Sequence, residues 1–197
     1  MRTSDADILI LPGWTGSGPD HWQTRWENKL TTARRVAQHD WEKPVLNAWV
    51  ARLAEAVEEA TRPVVLVAHS LGINTVLAGC DLIDEKVVGA YLVAPVATPS
   101  DGLRADVDPA FFEIPPRALP FPSVLIGSAS DPLCTVEQAE QMAAAFGSEF
   151  VNAGDVGHMN TASGHGPWPD GLLRFGKFLS KLTIEPGPTA EPPYAKP

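Results

Sequence analysis

Ser70 sits in Ala68-His69-Ser70-Leu71-Gly72, between the strongest apolar run of the chain, Val64 to Ala68, and a helical pattern that begins at Leu71. The spacing approximates Gly-x-Ser-x-Gly, with Ala68 in place of the first glycine. Small residues two before and two after a serine let a strand turn sharply into a helix and lift the hydroxyl above the sheet edge. Ala68 adds one methyl to that pattern. The free N–H groups of the new helix favour negative charge developing beside the hydroxyl. The same residues also fit a serine that merely caps a helix.

A serine hydroxyl is a weak nucleophile and needs a base, and the base needs a group that orients it. In strand–turn–helix hydrolases these follow in the order Ser, Asp or Glu, His. Asp131 lies in Ser128-Ala129-Ser130-Asp131-Pro132, after an apolar run ending at Gly127. His158 lies in Val156-Gly157-His158-Met159-Asn160, after a run ending near Val151. The order holds, and both residues follow strands. Asp131 before Pro132 also reads as a turn residue. The competitors are Asp155 as orienter and His165 as base. His69, adjacent to Ser70, reads as packing or hydrogen bonding. The oxyanion of an acyl-transfer step needs two aimed donors. The backbone N–H of Leu71 and that of Trp14, after the first strand, are the candidates, with Gly13 letting the chain turn.

These loops need strands to carry them. Continuous apolar or short strand-like runs occur at Ile8–Leu11, Arg34–Gln38, Val64–Ala68, Val87–Ala94, Ser123–Gly127 and Glu149–Val151. Helical patterns alternate with them at Asp20–Leu30, Pro44–Ala60, Leu71–Leu82, Thr135–Phe146 and Asp170–Leu182. Such alternation predicts a mostly parallel sheet of about six strands with helices on both faces. Ligands then bind beyond the carboxyl ends of the strands. Val96 to Pro120 is rich in Pro and Asp and reads as a long connection with room for a short helix. With Trp14 and Met159, its Phe111 and Phe112 are the expected walls of a shallow substrate pocket.

The 197 residues fit one domain, 1–183, followed by a Pro-rich tail, 184–197, with five prolines. A formal net charge of -9 argues against a nucleic-acid partner. Cys80 and Cys134 lack metal or redox spacing, so neither metal nor cofactor is expected. The N-terminal apolar run is short, ends at Pro12-Gly13 and reads as a strand rather than a signal peptide. No run approaches the ~20 residues of a membrane span, and a cytoplasmic location is expected. Oligomeric state is not readable from these features.

The chain also resembles the small serine hydrolases grouped with retinoblastoma-binding protein 9 and bacterial YdeN. The resemblance runs from about Ile8 to Leu182. It rests on Ile8-Leu9-Ile10-Leu11-Pro12-Gly13-Trp14, on Gly16-Ser17-Gly18-Pro19-Asp20-His21-Trp22-Gln23, and on the three segments carrying Ser70, Asp131 and His158. It implies a three-layer α/β-hydrolase fold in minimal form, without a large cap domain. It also implies a Ser-Asp-His triad at those three positions and hydrolysis of small esters or amides. The Leu-x-Cys-x-Glu motif of the animal member is absent: Leu133-Cys134-Thr135-Val136-Glu137 has different spacing. The readings to separate are an esterase for small, uncharged acyl groups, an amidase or peptidase with the same triad, and a binding protein on a hydrolase fold.

Overall fold

The computed structural model describes residues 1–83 and 85–183, so the expected tail, 184–197, lies outside the described residues. Among these residues six strands form one sheet: β1 (Asp7–Leu11), β2 (Ala33–Arg35), β3 (Val64–His69), β4 (Val87–Val93), β5 (Ser123–Gly127) and β6 (Glu149–Asn152). Their order is β2-β1-β3-β4-β5-β6, and every neighbouring pair is parallel. All strands therefore release their loops at one edge. The order reverses between β1 and β3, and the crevice opens at such a switch point.

Among the described residues six helices connect or flank the strands: α1 (Trp22–Lys29), α2 (Leu46–Glu58), α3 (Leu71–Ile83), α4 (Asp101–Asp106), α5 (Val136–Phe146) and α6 (Pro169–Lys181). The right-handed crossover preference separates them by direction of travel. The step from β1 to β2 puts α1 on one face, and the steps running the other way put α2, α3 and α5 on the opposite face. The α2/α3/α5 face is mostly aliphatic, with Leu9, Leu66 and Leu92 of the sheet against Leu53, Val76 and Ala143. The α1/α6 face is aromatic, with Trp22, Trp26, Tyr91, Trp168 and Phe175 in one cluster. The alternation of side chains along each strand feeds these two layers, so both sheet faces are buried. No helix among the described residues is long and apolar enough to cross a membrane.

The expected elements are present, with boundaries moved by long-range contacts. The second helix starts at Leu46 rather than at Pro44. Asp108, from the Val96–Pro120 connection, donates its N–H to the Pro44 carbonyl at 3.1 Å and accepts the Leu46 N–H on its carboxylate at 3.1 Å. The start of α2 is thus set by a residue 62 positions away. Val45 is 53% exposed because it is the extended residue before the helix. The connection itself holds α4 and a 3-10 turn at Pro109–Phe112. Leu103, Val107 and Phe111 bury it against Leu46, Trp49 and Leu71, so it forms a low shoulder beside the strand ends.

Candidate active site

The turn from β3 into α3 is forced by close backbone approach. Ser70 has φ 53°, in the left-handed region that costs an L-residue roughly 1–2 kcal/mol. Its N–H donates to the Val93 carbonyl at 3.0 Å, and its carbonyl accepts the Ile73 N–H at 2.9 Å. The strained turn is therefore tied to β4 and to the new helix. A Cβ on Gly72 would come within 2.4 Å of the Leu11 carbonyl oxygen, so only glycine lets α3 start this near β1. A Cβ on Gly13 would come within 2.8 Å of Ser70 Cβ. Ala68 is fully buried in the aliphatic core, which accommodates its methyl.

Ser70 Oγ lies 2.9 Å from His158 Nε2. On the other side of the ring, His158 Nδ1 lies 2.8 Å from Asp131 Oδ2 and 3.0 Å from Oδ1. The Asp131 side chain is 1% exposed and that of His158 11%. A carboxylate facing Nδ1 fixes the tautomer that carries hydrogen there, leaving Nε2 to accept the serine proton. Asp131 also accepts the Leu133 N–H at 2.9 Å, so it is a turn residue as well. Asp155 is exposed and makes no hydrogen bond to His158. The His165 ring packs edge-on against Trp168, with Nδ1 3.2 Å from Ser163 Oγ, and makes no hydrogen bond to Ser70.

The loop carrying His158 is held by several side chains, of which the sequence reading gave only His69 a hydrogen-bonding role. Ser128 Oγ accepts the Val156 N–H at 3.1 Å, and Ser130 Oγ accepts the Gly157 N–H at 3.0 Å, stitching the β5 loop to the β6 loop. His69 Nε2 donates to the carbonyl of His158 itself at 2.9 Å. Burial pushes the His69 pKa well below the usual histidine range, so the ring is neutral and donates through one nitrogen. Trp22 Nε1 donates to the next carbonyl, that of Met159, at 2.8 Å. Gln23, fully buried, donates to the carbonyls of Leu11 and Val67 at 3.1 Å each and accepts from Ser17 Oγ at 2.6 Å. The His21-Trp22-Gln23 segment signalled these roles in the sequence only as an unexplained motif.

Above Ser70 lies an open cleft of about 470 Å³. Its apolar wall is Trp14, Leu103 and Leu133, and its other wall includes His21, His69, Asn160 and Thr161. The Trp14 N–H, beside Ser70 through Gly13, makes no hydrogen bond among the described residues, and the Leu71 N–H opens α3 with no intrahelical partner. Both expected oxyanion donors are thus free. The Trp14 ring is anchored by its Nε1–H to the Glu42 carbonyl at 2.8 Å. Three expected pocket walls are corrected. Phe111 is fully buried, edge-on to Trp49 at 5.5 Å, because Asn74 of α3 draws its carbonyl inward at 2.7 Å. Met159 is fully buried in the aromatic layer. Phe112 lies on the far side of the shoulder, away from the cleft.

The model of the serine hydrolase family matches residues 8–177. The chain is similar to a protein from Pectobacterium atrosepticum described as a YdeN-like hydrolase, with 30% identity over 90% of this chain and 92% of that one and a TM-score of 0.79. It shares its fold with the ydeN gene product of B. subtilis, at 18% identity over 89% of this chain and 100% of that one, TM-score 0.72. It also shares it with Thermogutta terrifontis esterase 2, at 16% identity over 94% and 88%, TM-score 0.66. No curated protein matches the chain.

Proposed function

The chain belongs to the serine hydrolase family, and from that premise we propose that it cleaves small, uncharged carboxylic esters through Ser70, His158 and Asp131. The observation that carries this reading is the unbroken hydrogen-bonded series Ser70 Oγ–His158–Asp131 at the floor of the cleft. Ser70 Oγ attacks the acyl carbon as His158 Nε2 takes its proton. The N–H groups of Leu71 and Trp14 receive the oxyanion. His158 then returns the proton to the leaving oxygen, and water, activated by the same imidazole, releases the acid from Ser70. Asp131 holds the tautomer throughout. No step needs a metal or cofactor.

Cleft size and lining support the substrate class. Among the described residues that line the cleft none is Asp, Glu, Lys or Arg, so a charge on the substrate finds no partner among them. The net charge of -9 adds a mild repulsion toward anions that salt screens. The apolar wall is short, and burial adds only about 25 cal/mol per Å² to binding. Each methylene beyond Leu103 and Leu133 therefore gains little. The two cysteines, both buried and unpaired, favour work in the reducing cytoplasm.

The test joins a fluorophosphonate probe to a nitrophenyl ester series from acetate to palmitate. The probe should label Ser70, and Ser70→Ala should lose labelling and at least roughly 10³-fold in kcat. kcat/KM should peak at about two to six carbons, the reach of a shallow pocket. Labelling of another serine overturns the nucleophile. A steady rise to palmitate overturns the substrate class, and faster cleavage of matched amides than of esters would make the enzyme an amidase.

A further inference from the structure

His21 caps α1, yet its position gives it more to do than capping. Its Nδ1 accepts the Gln23 N–H at 3.2 Å, and the ring borders the cleft although the residue is only 5% exposed. It stands edge-on to His69 with ring centroids 5.0 Å apart, and His69 in turn stands 5.0 Å from His158. Three imidazoles thus run in series from the reacting atoms along one side of the cleft. Burial first, then the nearby Arg35 and His158, push the His21 pKa down to about 4, so the ring is neutral at ordinary pH. With Nδ1 occupied as an acceptor, its single hydrogen sits on Nε2. That nitrogen has no partner among the described residues, and it is not sealed in the core.

The row of imidazoles lies on the side of the cleft that holds the general base. The leaving oxygen must come to His158 Nε2 to be protonated, and the row that begins with His158 is a wall of the cleft next to that nitrogen, open to the group the oxygen carries. The acyl chain is left to the Trp14–Leu103–Leu133 wall, which belongs to the separate apolar cluster around α2, α3 and α4. The histidine row adjoins the aromatic layer on the other face, where Trp22 lies 5.5 Å from His21 and 6.1 Å from His69.

Resting on the esterase reading above, we propose that His21 is a substrate-binding residue whose Nε2–H donates to an oxygen on the leaving alcohol. The preferred substrates are then esters of short apolar acids with alcohols that carry a second oxygen, such as an ether or hydroxyl. The test compares 2-methoxyethyl butyrate with butyl butyrate, two esters of equal chain length that differ in one oxygen. The readout is the ratio of their kcat/KM values in the wild type, His21→Ser and Ser70→Ala. Serine keeps the helix cap and removes the ring, and the ratio cancels any loss of folded enzyme. The wild type should favour the methoxy ester, and His21→Ser should lower that ratio about tenfold, the worth of one hydrogen bond. An unchanged ratio overturns the role of His21 while leaving the esterase reading intact. Turnover of neither ester by a wild type whose Ser70 still takes the fluorophosphonate overturns the substrate assignment. Turnover surviving in Ser70→Ala overturns the nucleophile beneath it.

Discussion

Ser70 and His158 meet at 2.9 Å, but the two loops that bring them there are built differently. The Ser70 turn is held by its own backbone and by the absence of atoms. A left-handed serine is locked between β4 and α3, with Gly13 and Gly72 leaving room where β1 closes in. The His158 loop is held from outside by side chains. His69 and Trp22 draw two successive carbonyls, and Ser128 and Ser130 receive two successive N–H groups. The first construction is local and intolerant of added volume. The second is assembled from four distant positions and is sensitive to the loss of donors and acceptors. Mutations should therefore fail in different ways in the two regions.

The largest effect falls at the far end of the side-chain-held region. Asp131→Asn keeps the shape but favours the wrong imidazole tautomer, which can cost roughly 10⁴ in kcat. Asp155→Asn, three residues from His158 in sequence but exposed, should stay within about twofold, as surface changes usually do. Steady-state kinetics on the two variants decides between the carboxylates, and a larger loss at Asp155 would refute the assignment. Next comes the backbone-held region. Gly72→Ala places a methyl at 2.4 Å from the Leu11 oxygen and 2.9 Å from that of Pro12, both main-chain atoms that cannot swing aside. It should destabilise the fold by about 3 kcal/mol, read from urea unfolding, with Gly13→Ala also costing activity by pushing on Ser70. An unaltered midpoint for Gly72→Ala would show that the turn has slack.

The difference between the two regions also explains what could be read without coordinates. The elbow is encoded within five residues, and the strands that carry the loops are short apolar runs, so β1, β3, β4 and β5 stand within a residue or two of their expected limits. The chain order of Ser70, Asp131 and His158 anticipated that they would meet. The supports of the His158 loop have no local signature: Trp22 donates across 137 positions and His69 across 89. The same blindness produced the errors. Phe111 follows a weakly periodic, Pro-rich stretch and looked like a pocket wall, but Asn74 and Trp49 turn it into core. Met159 follows the histidine and looked like a neighbour of the substrate. Its φ of 45° accompanies a side chain lodged in the aromatic layer.

The smallest predicted effect is the sharpest test of external support, because a matched control exists. Trp22 and Trp26 are neighbours on α1, with rings 4.7 Å apart in the same buried cluster, 0% and 4% exposed. Both lie against Trp168, Trp22 edge-on at 5.0 Å and Trp26 stacked at 6.0 Å. Replacing either by Phe removes similar volume from the same layer. Only Trp22 also loses a hydrogen bond to the His158 loop, leaving the buried Met159 carbonyl without its donor. An unpaired buried acceptor costs about 1–3 kcal/mol, and relief is available only by moving the peptide next to His158. Trp22→Phe should therefore lower kcat about tenfold with KM nearly constant, because the loop positions the base rather than the substrate. Trp26→Phe should lose stability in thermal unfolding yet keep kcat within about twofold. Equal kcat for the two variants would mean that His69 and the two serines suffice to hold the loop. A fall in kcat with Trp26→Phe as well would shift the support from the indole N–H to the packing of the whole aromatic layer.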